Sequence, residues 1–253
     1  KLADIEPEFV LDEGTVLGTG TPKPAKPLKT SIDPAIQDAA VTALAGRAGG
    51  VVAMAARTGA VKAIAGQAYS VLQPPGSTMK IVTATAALDT AKARMDSTYP
   101  VVTEAPADGR TIQNAHGELC GGTFVESFAK SCNSVFAPLA MEIGEEAMTE
   151  TAEAYGFNKP PALFNEEATT AVEPPTPTRP TPGTYNNELG VSGIGQGTVQ
   201  ATPLLMASVA QGIANGGVVS PTPVAIEKDL QSDREPIRVT SKKTAAQVGE
   251  LMV

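Results

Sequence analysis

Pro74-Pro75-Gly76 halts the chain, and residues 77–88, STMKIVTATAAL, are rich in Ala and Thr and nearly all apolar. A helix apolar on every side belongs at the centre of a domain, so this segment predicts a core helix around which the rest must be arranged. The chain can supply such a core. It has 253 residues, 42% of them hydrophobic, enough for one large domain or a domain plus a fragment. Aromatic residues make up only 4% and Trp is absent, so that core must rest mainly on Ala, Val, Ile, Leu and Met.

Shorter signals surround the core helix. Asp33-Pro34 sets an N-cap carboxylate before a proline at the first helical position, predicting a helix over 35–44. Residues 50–55 and 60–65 flank Arg57-Thr58-Gly59 and read as a β-hairpin. Thr123, with Glu126 three residues on, forms a capping box for a short helix ending near Lys130. A further helix is expected from Ser134 past Met141, and Thr202-Pro203 opens an apolar one closed by Asn215-Gly216-Gly217. Ser241 caps a last helix, with Ala245, Val248, Leu251 and Met252 as its expected apolar face. Residues 158–190 hold seven prolines and little periodicity, which predicts a long loop. Residues 1–27 read as a linker or the tail of an upstream domain, leaving 28–253 as the folded domain. Interspersed helices and strands give an α+β class.

The net charge of −8 and pI near 4.8 argue against nucleic acid, which needs a basic face. No run of about 18 apolar residues predicts a membrane span. Two cysteines, Cys120 and Cys132, and one histidine, His116, make a poor zinc set, so neither metal nor cofactor is expected. The cysteines read equally well as two buried free thiols or as a pair, whose short loop would stabilise the fold by about 3 kcal/mol.

Ser77-Thr78-Met79-Lys80 is an S-x-x-K motif, and Ser131-Cys132-Asn133 is an S-x-N motif. Residues three apart on a helix share a face, so the Lys80 amine can reach the Ser77 hydroxyl. A free lysine is a poor base at neutral pH, but burial or neighbouring positive charge lowers its pKa. Ser77, at a helix start, also sits where backbone N–H groups can stabilise an oxyanion. Alone, S-x-x-K is weak: with 12 serines and 12 lysines in the chain, chance supplies about 0.6 matches. A second match, Ser127-Phe128-Ala129-Lys130, reads better as the polar face of a short capped helix. Ser77 differs in context, with a chain break before it, a buried helix after it and S-x-N further on.

The pair of motifs resembles that of penicillin-binding proteins and serine β-lactamases. More of the chain, from about residue 28 to the end, resembles the transpeptidase domain of class B penicillin-binding proteins. Lys29-Thr30-Ser31-Ile32-Asp33 with Gln37 is similar to that domain's entry, and 49–61 to its first hairpin. Residues 114–118 resemble the stretch before the second motif, and Gly195-Gln196-Gly197, Thr202-Pro203 and Asn215-Gly216-Gly217 its "GQG…TP…NGG" run.

The resemblance implies an antiparallel sheet packed between helices plus a helical subdomain. It implies a D,D-transpeptidase cross-linking peptidoglycan stem peptides that end in D-Ala-D-Ala, and acylated by β-lactams. Ser77 would be the nucleophile and Lys80 its general base. Ser131 and Asn133 would come from a loop opposite, Ser131 carrying a proton to the leaving amine and Asn133 holding the substrate amide and Lys80. His116 and the glycines of 195–197 are read as turn-forming and packing residues. The implied setting is extracytoplasmic, with a membrane anchor upstream of Lys1 and a glycosyltransferase or the division or elongation machinery as partners.

The family's third motif, K-T-G, is missing. Lys243-Thr244-Ala245 is the nearest string but falls at a helix start, so the sequence is expected to stop before the family's C-terminal strands. A longer enzyme of which this is part ranks first among the explanations, then a split protein, then a short pseudoenzyme. The alternative function is a non-catalytic β-lactam sensor or a wall-synthesis scaffold. A serine β-lactamase ranks lower, because Glu166 and Glu167 lie in no recognisable deacylation motif.

Overall fold

Residues 79–88 form the centre of the molecule, as their composition requires, while Ser77 and Thr78 at the start of the predicted core helix are exposed. In the computed structural model, which describes residues 8–10, 16–19, 28–163 and 188–253, Val82, Thr83, Ala84, Thr85, Ala86 and Ala87 are all fully buried.

The described elements run β1 (Glu8–Val10), β2 (Val16–Thr19), α1 (Pro34–Leu44), β3 (Gly50–Met54), β4 (Val61–Gly66), a 3-10 turn (Gly76–Met79) and α2 (Lys80–Asp89). There follow β5 (Thr98–Val102), β6 (Glu104–Ala107), β7 (Arg110–Gln113), β8 (Cys120–Thr123), α3 (Phe124–Ala129), α4 (Asn133–Ile143) and α5 (Glu145–Tyr155). After the undescribed stretch come α6 (Leu189–Gly193), α7 (Pro203–Ala214), β9 (Val218–Val219), β10 (Ile237–Arg238) and α8 (Lys242–Leu251). Among the described residues the strands pair antiparallel, two by two: β1 with β2, β3 with β4, β5 with β8, β6 with β7, and β9 with β10.

The hairpin β3–β4 shows why an alternating sequence builds two interfaces. Val51, Ala53, Ala63 and Ala65 share one face and pack on Ala40 and Leu44 of α1. Val52, Met54 and Ile64 point the other way, towards Leu204 of α7. A bulge near Met54 breaks the alternation and brings Val61 onto that second face. Asp33 caps α1 by accepting from Ala35 N (3.0 Å) and Ile36 N (3.2 Å), and Gln37 ties α1 to β4 through both Ile64 backbone groups (3.0 and 2.9 Å). The hairpin is thus packed between helices.

The helical part surrounds α2, which packs on α4, α5, α6, α7 and α8. Two threonines of α2 reach out to fix neighbours: Thr83 Oγ1 donates to Gly193 O (2.6 Å), and Thr85 Oγ1 lies 3.0 Å from the Tyr155 hydroxyl. Asp89, at its C-terminal end, accepts from Thr240 Oγ1 and Thr244 Oγ1, both at 2.6 Å, and so draws α8 against α2. The Lys243-Thr244-Ala245 string is therefore spent on a helix start. No helix among the described residues is long and apolar enough to cross a membrane.

Several expectations need correction. Met252 does not join the apolar face of α8; it is 40% exposed, while Thr244, Ala245, Val248 and Leu251 are buried. Ser127 is not part of a polar surface: it is fully buried, and its hydroxyl has no hydrogen-bond partner among the described residues. The core helix opens with a 3-10 turn before continuing as α2. Most of the proline-rich loop, residues 164–187 with Glu166 and Glu167, lies outside the described residues, and so does most of 1–27.

Candidate active site

Ser77 stands in the 3-10 turn that the Pro-Pro-Gly break sets up. Gly76 adopts φ +57°, a left-handed conformation that favours glycine, and its amide donates to Gly195 O at 2.8 Å. Thr78 Oγ1 donates back to Pro75 O (2.6 Å), closing the turn. One turn on, Lys80 is 2% exposed. Its Nζ lies 3.3 Å from Ser77 Oγ, so the two residues share a face as their spacing requires.

The second motif arrives from across the site. Between α3 and α4 the chain reverses at Ser131, whose φ of +60° is uncommon outside glycine. The reversal turns three oxygens on Lys80 Nζ: Ser131 O at 2.7 Å, Ser131 Oγ at 2.9 Å and Asn133 Oδ1 at 2.7 Å. Asn133 opens α4 rather than standing in a loop, and its Nδ2 donates to Gln113 O (3.0 Å). Lys80 also lies 5.7 Å from the Phe136 ring centroid, within the range of a cation–π contact. Burial, with no carboxylate ion-paired to it among the described residues, pushes Lys80 down to about 8.

The structure decides the cysteines. Cys120 and Cys132 are joined in a disulfide, with Cα atoms 5.4 Å apart. His116 is exposed in a turn at φ +54°, and Gly195 and Gly197 take φ +74° and +73°. Those three residues act in turns, as read from the sequence.

Two supporting roles escaped the sequence reading, which placed Asn114 only within the 114–118 resemblance and did not single out Asp108. Asn114 is buried; its Oδ1 accepts from Ser134 N (2.9 Å), and its Nδ2 lies 2.8, 3.0 and 3.1 Å from Val102 O, Ser134 Oγ and Glu118 O. Asp108, in the β6–β7 turn, accepts from Gly190 N (2.9 Å) and Val191 N (2.7 Å) at the start of α6. The Asp108-Gly109 pair, a strong hairpin signal, was the clue available. Beside Asn133 opens a cleft of about 500 Å³, walled by Arg110, Gln113, Glu188, Val191 and Gln196. Chemically, a serine hydroxyl, a buried amine and a second serine in hydrogen-bond sequence can generate a nucleophile and move its proton.

Comparison with known proteins places the chain in a family. Residues 49–253 match the model of the penicillin binding protein transpeptidase domain. The chain is 34% identical over 204 residues to a peptidoglycan D,D-transpeptidase PbpA of Mycolicibacterium smegmatis, covering 74% of this chain and 39% of that protein. It is 33% identical over 201 residues to the PbpA of Mycobacterium tuberculosis, again covering 74% and 39%. The chain thus spans about two-fifths of the length of these curated relatives. Among solved structures, the penicillin G acyl-enzyme complex of M. tuberculosis penicillin-binding protein A superposes with a TM-score of 0.77 at 27% identity, covering 92% of this chain and 64% of that one. The D,D-transpeptidase domain of a peptidoglycan glycosyltransferase from Eggerthella lenta gives a TM-score of 0.78 at 25% identity, covering 88% and 64%. With the family model matching residues 49–253, most of its length, this chain belongs to the penicillin-binding protein transpeptidase domain family.

Proposed function

We propose that this chain carries the acylating half-site of a peptidoglycan D,D-transpeptidase, with Ser77 as nucleophile. The observation that carries the reading is the Lys80 amine, 3.3 Å from Ser77 Oγ and 2.9 Å from Ser131 Oγ. As an ammonium, Lys80 has three hydrogens, matched by its three short contacts to Ser131 O, Ser131 Oγ and Asn133 Oδ1. Once it is neutral, its lone pair can accept the Ser77 Oγ–H proton.

Ser77 Oγ then attacks the carbonyl carbon of the penultimate D-Ala, and the carbonyl electrons move to oxygen. The Ser77 setting at a helical N-terminus favours that developing charge. Collapse breaks the peptide bond, and Lys80 returns the proton through Ser131 Oγ to the leaving D-Ala amine. An ester on Ser77 remains, and an acceptor amine attacks it by the reverse sequence. With a β-lactam the leaving amine stays tethered, so the ester persists. Asn133 holds Lys80 and lines the cleft in which the peptide would lie.

A disulfide beside the site fits an oxidising, extracytoplasmic setting. Anchoring upstream of Lys1 and work beside a glycosyltransferase belong to the same reading.

The test is intact mass after incubation with benzylpenicillin, followed by peptide mapping. One stable penicilloyl group on the Ser77 peptide, absent from Ser77→Ala, is expected. A protein that keeps its unmodified mass under all conditions would overturn the assignment.

A further inference from the structure

Consecutive residues of the second motif face opposite ways. Ser131 and Asn133 supply all three short contacts to Lys80. Cys132 and Ser134 are tied instead to the wall behind. Cys132 is fully buried and bonded to Cys120, the first residue of β8, which pairs with Val102 of β5. Ser134 N donates to Asn114 Oδ1 (2.9 Å), and its hydroxyl lies 3.4 Å from Cys120 O. Nothing covalent links the left-handed turn at Ser131 to its surroundings except the chain itself and this disulfide. Without the cross-link, Cys132 keeps one backbone bond outside α4, from its amide to Ser127 O (2.9 Å).

We propose that the Cys120–Cys132 disulfide is a positioning element of the acylating site: it holds the 131–133 backbone against β8 at the depth where its oxygens reach Lys80. Opening the bond lets this segment move away from α2, so acylation slows while the fold persists. The proposal rests on the assignment of Ser77 and Lys80 above. It makes the competence of the site depend on thiol oxidation state, with the disulfide form the faster one.

The experiment compares wild type with Cys120→Ala/Cys132→Ala, and also with wild type reduced by dithiothreitol, freed of reductant without oxygen, and later reoxidised. In the reduction the disulfide gains two electrons and two protons to give two thiols, while dithiothreitol closes to its cyclic disulfide. The reduced sample keeps the test decisive where the double variant does not fold. Two quantities are read. The first is benzylpenicillin acylation, resolved into a binding constant and a first-order acylation constant. The second is the pH titration of Lys80, followed by competitive acetylation of amines and peptide mapping, which requires no acylation of Ser77.

Opening the bond is expected to lower the acylation constant by about tenfold to a hundredfold, as misplacement of a catalytic group does. Binding should change little. The Lys80 titration should rise from about 8 towards 10.5 as water reaches the amine, and reoxidation should reverse both effects. A lower melting temperature with an unchanged acylation constant and Lys80 titration would overturn the proposal and leave the disulfide as a staple of the fold. If wild type itself never acylates, the functional assignment fails, and the Lys80 titration alone still decides whether the disulfide positions the segment around that amine.

Discussion

Gly195 and Gly76 touch backbone to backbone. The Gly195 carbonyl accepts the Gly76 amide at 2.8 Å, and a β-carbon built on Gly195 would lie 1.9 Å from the Gly76 oxygen. Gly76 immediately precedes Ser77, so the position of the proposed nucleophile depends on a residue far along the chain having no side chain. Gly195→Ala must both strain a left-handed φ of +74° and displace backbone that cannot rotate aside. It is expected to slow acylation by about a hundredfold or more. Gly197→Ala has a similar φ, but its β-carbon would meet the Glu188 carboxylate at 3.1 Å, a side chain able to move. It should be the milder change, and acylation rates of the two purified variants check the order.

The Lys80 amine should set the pH dependence of acylation. With its pKa near 8, the neutral form is about a tenth of the total at neutral pH. The first-order acylation constant is therefore expected to climb with pH and level off above 8. Lys80→Arg keeps a cation that does not deprotonate, and should remove the pH dependence together with nearly all of the rate. Stopped-flow acylation across pH measures both.

The same amine should leave a mark on stability. The folded pKa of about 8 lies below the ordinary 10.5, so between those values the unfolded chain binds more protons than the folded one. Stability then rises with pH across that window, and the cost of burying the charge is fully felt below it. Relative to Lys80→Met, whose side chain does not titrate, wild type is expected to gain about 3 kcal/mol between pH 8 and 10.5. Urea titrations of the two proteins at several pH values test this, and a constant difference would contradict it.

Asp108 serves two structures at once. It takes φ +52° in the β6–β7 turn, and its carboxylate receives two amides of α6 from 82 and 83 residues away. Asp108→Ala loses both roles and should destabilise by about 2–3 kcal/mol. Asp108→Asn tolerates the turn and keeps one acceptor, so it should cost less than half as much. Since α6 contributes Val191 to the cleft wall, the alanine variant should also bind peptide substrates less tightly.

The sequence made the local parts of this molecule readable. Asp33-Pro34, the Thr123/Glu126 capping box, Thr202-Pro203 and Ser241 each cap a helix where expected, because capping needs only neighbours in the chain. The β3–β4 hairpin and the buried α2 followed from apolar patterning. The four strands of 98–123 did not. Pro100 and Pro106 interrupt two of them, their exposed positions follow no strict alternation, and β5 finds its partner only in β8. Helix α5 was also missed, although Met148, Ala152 and Tyr155, its buried residues, have helical spacing. At the site, Ser77, Lys80, Ser131 and Asn133 were legible as motifs. The roles of Asn114 and Asp108 were not, because what they hold, Ser134 in one case and residues 190–191 in the other, is brought near only by the finished fold.

Lys80 joins α2 to the 131–133 segment through three short contacts, and as an ammonium it has one hydrogen for each. Giving up a proton leaves two hydrogens for three acceptors. In the proposed mechanism, the proton loss that arms Ser77 therefore weakens one of the three ties across the site. On the proposed reading, the protonation state of one amine sets both the reactivity of Ser77 and how firmly the 131–133 segment is held.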